Sequence, residues 1–324
     1  MEKRIFDLYL ASCTPAGGVL HAGLTENGEL LPLDFVKMPQ PMFLAFGDGG
    51  IYALLRDPFG NGESALTHFP LCGGTPGKPG KLLSTGGRVA CHLSVYKGKV
   101  YAANYTSGSV ARLDYETGEV LLDVHTGNGP DPDRQKGSHT HFIAPAPDGK
   151  FLLATDLGTD RVFTYSEDLK PLFAAPVPAG HGARHLAYSA DGKFIYCANE
   201  LQNTVTVFTY ENGVLTPRQT VDALPGVAAT SSKAAAIRLR GDRLYVSHRG
   251  DDSIAILSAC GEKLEFLKKV PCGGKSPRDM DFFGDFLVCT NEGDGAVTVF
   301  RREGDDLSYC SSLSLDVPLC VIGR

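Results

Sequence analysis

One layout recurs five times along this chain. A short apolar strand leads into a turn that usually carries Gly. A second apolar strand ending in Asn, Asp or His follows, then a polar turn and a third, β-branched strand. The copies occupy residues 91–113, 141–165, 184–208, 235–257 and 278–300, and their second strands end at Asn104, Asp156, Asn199, His248 and Asn291. That period lies near the ~40–50 residues of a propeller blade. A weaker copy fits 43–57, and a seventh begins at 5–13, whose missing strand the segment 313–322 would supply, closing a ring. The apolar runs are too short for helices. A single blade cannot bury both its faces, whereas blades stacked radially can. The pattern predicts an all-β fold, one seven-bladed β-propeller domain over residues 1–324, with four-stranded antiparallel blades around a central channel.

Composition fits this and narrows the partners. The 38 Gly and 20 Pro suit a chain with many turns. Residues 57–87 and 125–138 lose the pattern and read as long loops over one end of the scaffold. A net charge of −6, spread without blocks, speaks against nucleic acid or an anionic membrane as partner, since either wants a continuous basic surface. A small anionic substrate needs only a few converging arginines. Nine scattered cysteines include no CxxC pair and no zinc spacing, so the expected setting is a reducing cytoplasm, with a monomer or weak homodimer. Leu10-Ala11-Ser12-Cys13 mimics a lipoprotein cleavage site, but the apolar stretch before it is short and contains Asp7. It reads as a strand.

In a propeller, residues at one repeat phase gather around the channel mouth. Aligning the five copies puts Cys91, His141, Arg184, Ala235 and Arg278 in one ring, and His92, Phe142, His185, Ala236 and Asp279 in the next. His139 lies just outside. Just past the second strands come Tyr105, Leu157, Glu200, Arg249 and Glu292, which reach either the channel or the blade turns. Arg184, Arg278 and Arg249 have the fork geometry to hold a phosphate or carboxylate and to polarise a carbonyl oxygen. Glu200, or one of His92, His141 and His185, can take a proton from an attacking water. Such a set suits opening or closing a lactone.

The same polar residues can also simply tie blades together. Asn104, Asn199 and Asn291 read as turn-formers, and His21, His68 and His125, outside the shared phases, as surface residues. There is no GxGxxG after a strand, no phosphate-binding GxxxxGK[ST] and no GxSxG, which leaves nucleotide use and a serine nucleophile unsupported. His139 and His141 can share one strand face as metal ligands do, but no third ligand is evident. No metal or cofactor is expected.

At these residues the chain resembles the seven-bladed propeller lactonase family, the type that includes bacterial 6-phosphogluconolactonase. The resemblance is carried by Cys91-His92-Leu93-Ser94 with Ala103-Asn104-Tyr105, by His139-Thr140-His141-Phe142, and by Asp156 through Val162. It continues through Arg184-His185-Leu186, Asn199-Glu200-Leu201, Ser247-His248-Arg249-Gly250 and Pro277-Arg278-Asp279. It implies metal-free hydrolysis of 6-phosphoglucono-δ-lactone in the pentose phosphate pathway, at a central-channel site. Its His, Arg and Glu roles fall on His141, Arg184, Glu200 and either Arg249 or Arg278. Taken with the ring alignment, the expected catalytic set is His141, Arg184, Glu200 and His185, with His92, His139, Arg249, Arg278 and Asp279 on the substrate. Two positions depart from the family pattern: Ala236 stands where a Glu is usual, and His248 where an Asn is usual. The competing readings are a carboxy-muconate-type lactonising cycloisomerase and a propeller that binds a ligand or protein without catalysis.

Overall fold

The computed structural model describes residues 3–324, which form seven antiparallel sheets and, among the described residues, no helix. The innermost strands of blades 2 to 7 are Pro41–Gly47, Ala90–Tyr96, Thr140–Pro145, Ala183–Tyr188, Lys233–Arg240 and Pro277–Phe283. Blade 1 takes its innermost strand, Pro318–Gly323, from the far end of the sequence and adds Arg4–Ser12, Gly18–Thr25 and Leu30–Lys37 outside it. Each inner strand packs on the next, and Pro318–Gly323 packs on both Pro277–Phe283 and Pro41–Gly47, so the ring closes. The closing segment is shorter than 313–322, because Ser314 still belongs to the outer strand Asp306–Ser314 of blade 7.

Blade 2 corrects the sequence reading. Residues 57–87, expected as a loop, contain its third strand Glu63–Cys72 and the strand Leu83–Arg88 that pairs with it, plus the two-residue strand Thr75–Pro76. The Gly- and Pro-rich turns between them interrupt the apolar runs and hide the strands.

The core is divided. Each wedge between neighbouring blades holds its own apolar layer, such as Tyr9, Leu44 and Phe69 between blades 1 and 2, or Val207, Ile237 and Leu244 between blades 5 and 6. Because both faces of every sheet are covered, second strands such as Phe194–Asn199 read as continuous apolar runs. Fully burying one such side chain is worth roughly 1.5–3 kcal/mol. The polar residues that end these strands are structural. Asn199 donates from its amide to the Thr204 and Thr206 hydroxyls, and Asn291 to the Ala296 carbonyl and the Thr298 hydroxyl. Each ties the second strand to the third.

Two backbone devices recur at the channel. First, every inner strand carries a β-bulge at one phase. The extra residue is Leu319, Met42, Cys91, His141, Arg184 and Arg278 in six blades, and falls at Ala235–Ala236 in blade 6. A bulge frees one residue from the ladder and re-aims its side chain. Second, the chain enters several inner strands through a left-handed residue: Val317 (φ 44°), Gln40 (φ 47°), Val89 (φ 52°), Gly182 (φ 73°) and Ser276 (φ 57°). For β-branched Val89 and Val317 this conformation is strained. The carbonyls of these residues accept the N–H groups of Cys13, Arg56, Tyr105, Glu200 and Glu292, respectively. In these five blades the left-handed entrance residue thus pins the residue that follows the second strand.

Candidate active site

These two devices build one cavity. The bulge residues Leu319, Met42, Cys91, His141 and Arg278 form one tier of its lining. The residues just past the second strands, Arg56, Tyr105, Glu200, Arg249 and Glu292, form the other. Val89 and Arg134 complete a space of about 250 Å³ at one mouth of the channel. Four guanidinium groups and two carboxylates share it, facing an apolar wall of Met42, Val89, Cys91 and Leu319.

Glu200 is its electrostatic centre. The carboxylate is buried and accepts from three arginines: Arg134 at 2.7 Å on one oxygen, and Arg184 and Arg249, each at 3.0 Å, on the other. Burial by itself would raise its pKa, but Arg249 and Arg184, helped by Arg134, hold it well below the usual carboxylate value. Glu200 is therefore an anion across the working pH range. Arg184 lies behind it, only 1% exposed. Burial and the neighbouring Arg249 charge push its pKa down to about 9. Arg278 pairs with Glu292 at 3.2 Å. Arg56 is exposed at the rim and makes no ion pair among the described residues.

His141 meets the cavity as a neutral imidazole, its pKa driven well below the ordinary histidine value by burial and then by the Arg184 charge. Cys91 is an inert neighbour, because burial raises its thiol to about 12. Tyr105 accepts a hydrogen bond from Arg134 at 3.1 Å through its hydroxyl. Arg134 comes from the segment 125–138, which is mostly irregular and held by Gln135. That fully buried amide donates to the Leu157 carbonyl and the Asp160 carboxylate, both at 2.8 Å.

Of the residues predicted from sequence, His141, Glu200, Arg249 and Arg278 line the cavity. The others lie elsewhere. His92 is wedged between Phe43 (4.4 Å) and Phe142 (4.3 Å), with its Nδ1 accepting from the Ile143 N–H. Burial lowers its pKa to about 3. The phase after each bulge rejoins the ladder, which turns His92, His185 and Asp279 away from the mouth. Asp279 pairs with Arg238 at 2.9 Å and accepts from the Val321 N–H. His139 backs the site instead of lining it: its ring stacks on Tyr105 at 4.6 Å and its Nδ1 donates to the Tyr105 carbonyl.

Two histidines assigned to the surface are buried: His21 against Asp7 (2.6 Å), and His125 between Asp156 (2.8 Å) and Tyr165. Sequence reasoning also missed Arg56 and Arg134. The first sits at the shared phase of a degenerate blade, and the second has no repeat phase at all. No group of three or more metal-ligating side chains occurs among the described residues.

A propeller mouth that gathers Arg, Glu and a neutral His around one small cavity is built as a candidate active site. Residues 7–322 match the family described as Lactonase, 7-bladed beta-propeller, and the chain belongs to it. An uncharacterized protein of Staphylococcus aureus (strain USA300) is 35% identical, over 75% of this chain and 77% of that one. A crystallised candidate 6-phosphogluconolactonase from Bacteroides fragilis shares 27% identity and a TM-score of 0.88, covering 98% of each chain. The periplasmic gluconolactonase of Pseudomonas aeruginosa shares 25% identity and a TM-score of 0.88 over 98% of each chain.

Proposed function

We propose that this cavity hydrolyses the ring ester of a phosphorylated sugar lactone, 6-phospho-D-glucono-1,5-lactone being the best candidate, to the open acid. The observation that carries this reading is an anionic Glu200 and a neutral His141 sharing about 250 Å³ with Arg134, Arg249 and Arg278, beside an Arg56 at the rim that makes no ion pair among the described residues. A water oxygen bonds to the lactone carbonyl carbon while one water proton passes to a base. The resulting oxyanion is stabilised by guanidinium groups already in place. The carbon–ring oxygen bond then breaks, the ring oxygen takes up a proton and becomes a hydroxyl, and the carboxylic acid ionises. Arg56 holds the phosphate.

No step calls for a metal or cofactor. Nine free cysteines support a reducing compartment, and we place the reaction in the cytoplasm, within the pentose phosphate pathway, carried out by a monomer or weak homodimer. One feature favours a second reading. The wall of Met42, Val89, Cys91 and Leu319 would suit a flat unsaturated dicarboxylate undergoing ring closure.

Proton release from the phosphorylated and free gluconolactones, measured against their spontaneous hydrolysis, tests the proposal. The phosphorylated lactone should turn over faster. Arg56→Ala should raise KM for it and leave the free lactone unchanged. No acceleration of either lactone, with ring closure of a carboxy-muconate instead, would replace the first reading by the second.

A further inference from the structure

Beside the cavity, three neighbouring side chains each carry a buried polar atom with no hydrogen-bond partner among the described residues. The atoms are Arg184 Nη1, His141 Nδ1 and His185 Nε2. The His141 and His185 rings lie 5.1 Å apart at a steep angle of 66°. Arg184 precedes His185 in the chain, and it is the strongest charge acting on either imidazole. Phe142 and His92 also pack on His185, with ring centroids 5.7 Å and 5.4 Å away. Each buried group left unpaired would cost roughly 1–3 kcal/mol. A buried water with about three partners is the usual remedy in a polar space of this kind.

We propose that one water bridges Arg184, His141 and His185, and that it fixes His141 as the tautomer protonated on Nε2. The donor count favours this tautomer, because a buried proton left unpaired costs more than a spare lone pair. Arg184 Nη1 can only donate, so it occupies one lone pair of the water. The two water protons then need two acceptors, and the two imidazole nitrogens are the ones at hand. An imidazole donating into this site would leave a water proton unused. With Nδ1 accepting, His141 presents Nε2–H to the cavity it shares with Glu200.

Resting on the lactonase reading, this assigns roles. His141 donates to the developing oxyanion, Glu200 takes the proton from the attacking water, and His185 is a positioning residue that acts through the bridging water. A neutral imidazole serving as a donor fits the low basicity already noted for His141.

The test uses 15N-histidine-labelled full-length protein, with the His141 signals assigned by their loss in His141→Gln. The expected spectrum shows Nε2 protonated and Nδ1 bare, and a high-resolution crystal map shows a water touching all three atoms. His185→Phe should mix the two tautomers and lower kcat by roughly tenfold or more, with KM changed less than about twofold. His185→Gln, whose carbonyl can still accept from the water, should restore part of the loss. A parent spectrum with Nδ1 protonated, or a map with no such water, overturns the proposal, and neither measurement needs His185→Phe to fold. Both are also read without turnover. Absence of lactonase activity alongside the expected tautomer would therefore refute the reaction and leave the water and the tautomer standing.

Discussion

The two arcs of the channel mouth share one backbone and differ in chemistry. Blades 1 to 3 place Leu319, Met42 and Cys91 on their bulges, whereas blades 4, 5 and 7 place His141, Arg184 and Arg278 on theirs. The bulge supplies only a direction, and the side chain supplies the reaction. The apolar arc should therefore tolerate exchange, while the charged arc, whose arginines pair with Glu200 and Glu292, should not.

The largest effect is expected from Glu200→Ala. It strips Arg134, Arg184 and Arg249 of their shared counterion, and a broken buried pair costs roughly 3–5 kcal/mol. Urea unfolding should show that loss, with activity abolished. Unchanged stability would mean that the arginines find another anion. Next comes Arg278→Ala, which should lower kcat/KM by about 10²–10³-fold and leave the unfolding midpoint nearly unchanged. In the opposite arc, Met42→Leu should cost under about 1.5 kcal/mol by either measure. Equal losses from these two substitutions would erase the contrast between the arcs.

A pH series sharpens it further. His92 and His248 are buried, and burial lowers each pKa to about 3. Both are neutral in the folded protein, while the unfolded chain takes up protons below about pH 6.5. Their contribution is complete above that value and drains away as the pH falls toward 3. By pH 5.5 each should have cost about 1.4 kcal/mol, so the thermal midpoint should drop between pH 7 and 5.5. A flat profile would show that these rings reach water. Activity measured over the same interval should hold, because His141 stays neutral and Glu200 ionised throughout. The smallest effect is expected at Cys91. Its raised pKa predicts no alkylation at pH 7.5 in the folded protein, checked by mass spectrometry.

The ring and three members of the cavity's first tier, Cys91, His141 and Arg278, were legible because the repeat fixes a phase, and the phase fixes a direction. Glu200 and Arg249 were visible for the same reason, although only the structure shows that residues past the second strand reach the mouth. His92 and Asp279 were misplaced because one residue's shift along an inner strand exchanges the channel mouth for the space between blades. Arg134 could not be found by phase, since it arrives from an irregular segment and its partner Glu200 is 66 residues away. His21 and His125 misled for a related reason. Their carboxylate partners, Asp7 and Asp156, stand 14 and 31 residues off in sequence, and nothing in the local pattern announces them. In blade 2 the punctuating glycines outweighed a real strand pattern.

The kink shared by all seven inner strands has an evolutionary corollary. A side chain held outside the ladder can be exchanged without breaking strand pairing, so each blade offers one letter of a seven-letter word, freest where that letter has no charged partner. Blade 6 now spells Ala at this position, the least committed letter available. A lineage seeking a new substrate would be expected to rewrite that place before any other, and a laboratory library should begin there too.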